Sequence, residues 1–189
     1  RRVGTLPARR SHTRVWIRDV LAARVARMRP ALPFDPGIRG KVAAQRAAKR
    51  AESQAWAIAR WQLLHAGFSS TRIDRWVEDG RLHPVYPGVY AWGRRELSEA
   101  GRHAAALLFS GQGSGLTGLT AIWWQGLLGH EHALSHVAAP GRSRSREGLV
   151  IRHPLTIVRR VHKGLPVVEL ARSLLLASSD LSHNSLRLV

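Results

Sequence analysis

The spacing of apolar residues predicts two short helices and a β-hairpin between positions 60 and 93. The first helix is expected to end at Gly67, because a glycine commonly follows the last turn of a helix. The second helix follows a run of hydroxyl residues, with Thr71 and Asp74 as a capping box, and is expected to end at Gly80. The buried faces are expected to consist of Trp61, Leu63, Leu64 and Ala66 in the first helix, and of Ile73, Trp76 and Val77 in the second.

The hairpin is indicated by β-branched and aromatic residues on both sides of a turn. This turn, Tyr86-Pro87-Gly88-Val89, has proline and glycine at the two central positions of a type II turn. Helix, turn, helix and hairpin in this order predict a winged helix-turn-helix, which places one helix in the major groove of DNA. Arg72 and Arg75, three residues apart, are expected to share the solvent face of that helix. The alternative is a small α+β subdomain that only packs against its neighbours.

These patterns predict an α+β fold in which a winged helix-turn-helix is followed by a small mixed α/β domain. The alanine-rich stretch 41–60 is expected to form the first helix of the winged domain and to pack Val42, Ala47 and Trp56 beneath the helix pair. In chain order we predict a basic, disordered arm over 1–40, the winged domain over 41–95, the small domain over 96–178 and an irregular tail over 179–189. Within the arm, 15–28 has the pattern of a basic amphipathic helix, which is the alternative to disorder.

The small domain is expected to contain three helices and three strands. Ser98 and Thr117 are the predicted caps of its first two helices, and Gly111 to Gly115 is expected to be a flexible break between them. The predicted helices are 99–109, 116–127 and 168–177, and the predicted strands are 134–139, 148–153 and 157–162.

Composition and charge narrow the class of protein. The chain has no cysteine, which suits a reducing cytoplasm, and no apolar run approaches the roughly 20 residues of a membrane helix. Its formal net charge of +18 suggests an anionic partner. However, residues 1–50 hold 14 lysines and arginines against 2 acids, whereas the other 139 residues hold 16 against 10. The charge therefore supports nucleic-acid binding without establishing it.

Five short motifs lie in order along the predicted winged domain. They are Leu63-Leu64, Gly67, Ser69-Ser70, Gly80-Arg81-Leu82 and Gly88-Val89-Tyr90. These motifs resemble the N-terminal winged-helix domain of the AbiEi-type antitoxins and their transcriptional-regulator relatives, and the resemblance covers residues 55–178. The resemblance implies binding to double-stranded DNA at the promoter of its own operon, within a type IV toxin–antitoxin system. It also implies a cognate toxin as a partner, where the operon encodes one.

Two departures from the family pattern qualify what the resemblance implies. The last predicted helix lacks the usual capping threonine-proline pair, and Leu176 stands where the family has an aspartate. Many relatives continue into further helices or a Vsr-like nuclease domain beyond the region that ends near Ser178. We therefore expect a chain truncated at the C-terminus, to which neither nuclease activity nor a complete antitoxin surface is carried over.

The predicted DNA contacts fall into three groups. The recognition helix is expected to contribute Ser70, Thr71, Arg72 and Arg75; the hairpin and its flank Arg81, His83, Arg94 and Arg95; and a hairpin loop Arg142, Arg144 and Arg146. Three acids count against this hypothesis, since Asp74, Glu78 and Asp79 outnumber the arginines of the helix. Asp74 is explained as a cap, but the other two would repel phosphate if they faced it.

Two motifs that could hold a cofactor or metal are weak. Gly113-x-Gly115-x-x-Gly118 matches the dinucleotide-binding fingerprint, but a predicted helix precedes it and no acid follows at the required distance. His130-Glu131 is not followed by the second histidine of a zincin motif, because position 134 is leucine. His132 and His136 would share a face only in a helix, whereas a strand is expected from Leu134 onward. No arrangement of nucleophile, base and acid stands out. We therefore expect no cofactor, no metal and no enzymatic activity.

Three functions remain open on the sequence. The first is a cytoplasmic DNA-binding regulator of the antitoxin type. The second is a protein-interaction module that does not bind DNA, and the third is the truncated N-terminal part of a nuclease-fused relative. The identity of the neighbouring genes would separate them, because an adjacent toxin favours the first and an adjacent nuclease fragment favours the third.

Overall fold

The computed structural model describes residues 36–129 and 133–178. Within these ranges the chain forms six helices and eight strands, which confirms the α+β part of the predicted fold. The helices are α1 (Pro36–Glu52), α2 (Arg60–Ala66), α3 (Ser70–Glu78), α4 (Glu99–Ser110), α5 (Gly118–Trp124) and α6 (Leu170–Ala177). The strands are β1 (Ala57–Ala59), β2 (Leu82–Tyr86), β3 (Val89–Trp92), β4 (Gly115–Leu116), β5 (Ser135–Ala138), β6 (Leu149–Arg152), β7 (Arg159–His162) and β8 (Leu165–Val168).

Some predictions lie outside the described residues. These are the predictions for most of the arm, for 15–28, for the tail 179–189 and for His130 to His132. Among the described helices, none has both the length and the apolar content that crossing a membrane requires.

The predicted helix pair and hairpin are present, with one error at the start of α3. The helix begins after Ser69, whose hydroxyl accepts a hydrogen bond from the backbone N–H of Arg72 at 3.2 Å. The predicted capping box of Thr71 and Asp74 is therefore wrong, because the cap lies two residues earlier. Between β2 and β3, Gly88 has φ +73°, which fits the third position of the predicted type II turn.

The first helix ends well before the predicted boundary. It runs from Pro36 to Glu52 instead of 41–60, because the chain turns through Ala55 and Trp56, both with positive φ, into strand β1. High helix propensity is overridden here by burial, since all three residues of β1 are buried and pair with β3. The buried face of α1 consists of Ala43, Ala47 and Ala51, whereas the predicted Val42 is exposed.

The first sheet and the three helices α1 to α3 enclose one apolar core. The antiparallel sheet has the order β1-β3-β2 and packs Ile58 and Leu82 against Leu63 and Ile73, each fully buried. The predicted contribution of Leu64 is wrong, because this side chain is exposed. On α2 it is Gln62 that is buried with Leu63, and its side-chain oxygen accepts a hydrogen bond from the Ala59 N–H. The helix is thus tied to β1 by a polar side chain that the apolar pattern does not reveal.

The second sheet differs from prediction in its connections. Its order is β6-β5-β4-β8-β7, and β5 pairs with β6 in parallel. The segment between them, which carries Arg142, Arg144 and Arg146, is therefore not a hairpin loop. The predicted break at Gly111 to Gly115 ends in β4, the central strand of this sheet. Strand β8 was not predicted and forms a hairpin with β7 through a two-residue turn at Lys163 and Gly164.

Helix α4 joins the two sheets. Ser98 caps it as predicted, with its hydroxyl accepting a hydrogen bond from the Gly101 N–H. The contact with the first sheet is built from small side chains, because Ala104 and Ala105 share one buried cluster with Ala57 and Ala91. Alanine on both sides allows helix and sheet backbones to approach closely.

Candidate nucleic-acid interface

Helix α3 is held in place by a charged contact with the start of α2. The Arg60 guanidinium donates hydrogen bonds to both carboxylate oxygens of Asp74, at 2.8 and 3.4 Å, and a third to the Tyr90 hydroxyl on β3 at 3.2 Å. The Arg60 guanidinium holds the pKa of Asp74 below its usual value, and the same pair raises the pKa of Arg60. Asp74 therefore stays charged at neutral pH, but its charge is balanced by an arginine of the same domain.

An aromatic cluster lies on the other side of α3. The Trp76 ring contacts Phe68 edge-on, with centroids 4.9 Å apart, and Trp92 at 5.3 Å. Two guanidinium groups lie on the cluster, that of Arg72 at 4.6 Å from the Phe68 centroid and 5.3 Å from Trp76, and that of Arg81 at 5.3 Å from Trp76. Such cation–π contacts hold the arginines against the protein surface.

The predicted common face of Arg72 and Arg75 is therefore wrong. Arg72 is only partly exposed and also donates a hydrogen bond to the Gly40 carbonyl on α1 at 3.2 Å. The exposed residues of α3 are Ser70, Thr71, Asp74, Arg75 and Glu78, and of these Asp74 is bonded to Arg60. Successive residues of a helix are rotated by about 100°, so Thr71, Arg75 and Glu78 follow one line along the outer surface.

The basic residues of the hairpin and its flank have different environments. His83 is half-buried on β2, and the Arg94 guanidinium covers the Trp56 ring at 4.4 Å from its centroid. Arg95 is exposed. Of the predicted hairpin contacts, Arg95 is thus the cation that faces solvent without an aromatic partner in the described part of the chain.

The loop between β5 and β6 contacts helix α4 through Arg146. Its guanidinium lies 5.9 Å from the centroid of Phe109, the ring of which stacks on Tyr86 at the end of β2 at 5.3 Å. The Phe109 ring therefore lies between Arg146 and Tyr86, whereas Arg142 and Arg144 are exposed and have no such ring contact among the described residues. This proximity is not evident from the sequence, because 60 positions separate Tyr86 from Arg146.

An open groove of about 620 Å³ runs between α3 and the hairpin. Its helix side carries Asp74 and Glu78, and its hairpin side carries Val85, Tyr86 and Pro87. Burial raises the pKa of Tyr86, so its hydroxyl stays neutral at physiological pH. The groove is thus acidic and apolar, in contrast to the basic chain around it.

The described residues contain no group of three or more His, Asp or Glu side chains placed to hold a metal ion. His136 is buried on β5, where its backbone N–H donates to the Thr120 hydroxyl at 2.8 Å. In the glycine motif the strand β4 lies inside the fingerprint, at Gly115, instead of before it. This is not the strand–turn–helix arrangement that the dinucleotide motif requires.

One buried polar pair was missed by the sequence analysis. The His103 ring nitrogen Nδ1 on α4 lies 3.0 Å from the Ser135 hydroxyl on β5, with both residues buried. The rings of Trp123 and Trp124 contact the imidazole from α5 at 5.8 and 5.6 Å. The pair links helix to sheet, and with 32 positions between its members no local motif could have indicated it.

No protein-family model matches the chain, and no curated protein sequence matches it. Among solved structures, the chain is similar to the crystal structure of the RV2827C protein from Mycobacterium tuberculosis. The two are 17% identical with a TM-score of 0.45, and the match covers 82% of this chain and 72% of that chain.

Proposed function

We propose that the chain is a cytoplasmic, non-enzymatic DNA-binding regulator of the AbiEi-antitoxin type, acting at the promoter of its own operon. The element order α1-β1-α2-α3-β2-β3 with the sheet order β1-β3-β2 supports this proposal, because it is typical of a winged helix. The observation that carries it is helix α3, a capped helix with Ser70, Thr71 and Arg75 exposed beside a hairpin.

Arg75 is the residue proposed to read a base. It is exposed at the middle of the outer line of α3, and an arginine there can form two parallel hydrogen bonds with a guanine edge. Ser70 and Thr71 lie at the start of α3, where free backbone N–H groups and the helix dipole favour a phosphate. These residues would set the register of α3 in the major groove.

The other basic residues are assigned supporting roles. Arg72 and Arg81 lie on the Trp76 ring and are proposed to fix the orientation of α3. Arg95, which follows the hairpin, and Arg146, which lies on Phe109, are proposed to contact phosphates, together with His83, Arg94, Arg142 and Arg144 where the DNA reaches them. Phosphate contacts of this kind add affinity but no sequence preference.

The groove beside α3 favours a second candidate function. The carboxylates of Asp74 and Glu78 would repel phosphate. The apolar residues of the hairpin are of the kind that is buried at the centre of a protein–protein interface. On this alternative the same domain is a protein-interaction module, and a cognate toxin is the partner that the family resemblance suggests.

Binding to the DNA upstream of its own gene tests the proposal. We expect the protein to bind this promoter more tightly than a scrambled duplex of the same composition, as measured by fluorescence anisotropy over a salt series. The affinity for both duplexes should fall as salt rises, because bound phosphates release their counterions. Equal affinity for both duplexes at every salt concentration would contradict sequence-specific regulation and leave the protein-interaction module as the better hypothesis.

Replacing Asp74 with asparagine should strengthen binding to both duplexes. The substitution removes a negative charge beside the outer face of α3 and releases the Arg60 guanidinium, which can then contact phosphate. One added phosphate contact should steepen the slope of log affinity against log salt by about one.

Asp79→Asn is the matched control for this prediction. Asp79 is an exposed acid directly after α3, and it has no arginine partner within the described residues, so its removal changes the charge alone. We expect a smaller gain in affinity and little change in slope. If Asp74→Asn instead weakens binding to the promoter alone, the Arg60–Asp74 pair orients α3 and does not withhold Arg60 from DNA.

A further inference from the structure

Strand β7 forms one edge of the second sheet. It pairs with β8 in antiparallel register, with Arg160 opposite Val167 and Val161 opposite Pro166. Within the described residues no strand pairs with its other side. An edge strand of this kind presents backbone donors and acceptors to a further extended chain.

The hydrogen-bonding pattern of the β7–β8 hairpin shows which backbone N–H and carbonyl groups of β7 are directed away from β8. The Glu169 N–H donates to the Val158 carbonyl at 3.2 Å, so the backbone groups of Val158 are directed toward β8. Because these groups alternate in direction along a strand, those of Arg160 and His162 are directed toward β8 as well. Pro166, which has no N–H, lies opposite Val161 in a pair that needs no hydrogen bond. The N–H and carbonyl groups of Arg159 and Val161 are therefore directed away from β8.

The side chains along this edge are apolar and basic. Val158 and Val161 are each about half exposed, and Leu155 is fully exposed in the segment that leads into the strand. Arg160 and Lys163 are exposed among them. No acid occurs between Glu147 and Glu169, so the edge carries only positive charge over this length.

We propose that the β7 edge binds an extended, acidic segment of a partner protein, which adds as a sixth strand to the sheet. The outward N–H and carbonyl groups of Arg159 and Val161 would hold its backbone. Alternating glutamate or aspartate side chains would lie on the face of β7 that carries Arg160, and the apolar side chains between them would lie on the face that carries Val161. Cross-strand pairs of opposite charge stabilise such an arrangement.

A second copy of this chain is a poor occupant of the same edge. If two β7 strands pair about Val161 in antiparallel register, Arg159 lies opposite Lys163 of the other copy. Like charges directly opposite each other destabilise a sheet. The charge of the edge therefore favours an acidic partner over self-association.

A short synthetic peptide provides the direct test. The probe is a fluorescein-labelled peptide of about six residues that alternates glutamate with threonine and valine, a typical strand length. We expect saturable binding to the full-length protein by fluorescence anisotropy, which weakens as salt rises. A matched peptide with lysine in place of every glutamate should not bind.

Val161→Pro tests the backbone contact. Proline removes the outward N–H but no hydrogen bond to β8, so we expect the hairpin to form. Peptide affinity should fall about fivefold, the typical effect of one lost hydrogen bond. The matched variant Val161→Thr keeps the N–H and the branched side chain, and it should bind nearly as well as the parent. Arg160→Glu should weaken binding of the glutamate peptide and permit binding of the lysine peptide.

Hydrogen exchange keeps the proposal testable if Val161→Pro fails to fold. In the parent protein the Arg159 and Val161 amides should exchange fast when free and slowly with the glutamate peptide present, while the Arg160 amide is protected in both states. Absence of saturable binding up to millimolar peptide, or protection that spares these two amides, would overturn the proposal. Unchanged peptide affinity in a folded Val161→Pro protein would overturn it as well.

Discussion

Replacing Gly101 with alanine is expected to destabilise the protein, although the same change in an exposed helix stabilises it. A Cβ atom at this position would lie 2.6 Å from the Ala55 carbonyl oxygen and 3.0 Å from the Leu97 Cβ. The carbonyl belongs to the turn that leads into β1, so the helix and the first sheet would have to separate. Overpacking of this kind costs about 1–3 kcal/mol, which exceeds the roughly 1 kcal/mol gained from helix propensity.

Thermal unfolding measures this effect against a matched control. Gly141→Ala places the same methyl group in open space in the loop after β5, and its midpoint should stay close to that of the parent. The Gly101→Ala midpoint should fall by several degrees, since about 1 kcal/mol corresponds to roughly 2–4 °C in a domain of this size. A raised midpoint for Gly101→Ala would mean that α4 does not rest against the turn before β1.

The elements that were predicted well are those fixed by local chemistry. Gly67 ends α2, and Pro87 with Gly88 forms the hairpin turn, because each of these residues restricts or permits particular backbone angles. The capping hydroxyl of Ser98 similarly marks the start of α4. Such signals act within a few residues, and they can be read without knowledge of the fold.

The errors arise where distant residues decide the structure. Ala57 to Ala59 are good helix formers, yet they form β1 because β3 and α4 bury them. The parallel pairing of β5 with β6 depends on the whole sheet, and nothing in the arginine-rich connection distinguishes it from a hairpin loop. Strand β8 was not predicted and contains Pro166, which the strand tolerates because its place opposite Val161 requires no N–H.

The candidate site was predicted only in part, because several of its contacts join residues that are distant in the sequence. Helical spacing identified α3 and its exposed residues, but it could not separate an arginine that faces solvent from one that lies on an aromatic ring. Phe68 precedes α3, and Trp76 lies one turn after Arg72, so both rings cover that guanidinium. The Arg60–Asp74 pair spans 14 positions and joins two helices, which explains why Asp74 was assigned to a cap.

Replacing Arg75 with alanine should weaken binding to the promoter by about 1–3 kcal/mol, which is roughly 5- to 150-fold. This expectation rests on the proposed function and on the exposure of Arg75, which has no aromatic or acidic partner within the described residues. Binding to a scrambled duplex should weaken much less, since a base contact is lost only where the base is present. Anisotropy titrations of both duplexes at one salt concentration measure the ratio.

Two other arginines make the Arg75 result specific. Arg46→Ala removes an equal charge from the exposed side of α1 and should leave the ratio of the two affinities unchanged. Arg72→Ala removes a guanidinium that bonds Gly40 and covers two rings, so it should lower the thermal midpoint and weaken both duplexes together. If Arg72→Ala reduces the promoter preference while Arg75→Ala does not, the bases are read from the α1 side of α3. The Arg72 guanidinium would then have to leave the Phe68 and Trp76 rings when DNA binds. A lowered thermal midpoint of the Arg72→Ala protein without DNA would still show that Arg72 contacts those rings in the free protein.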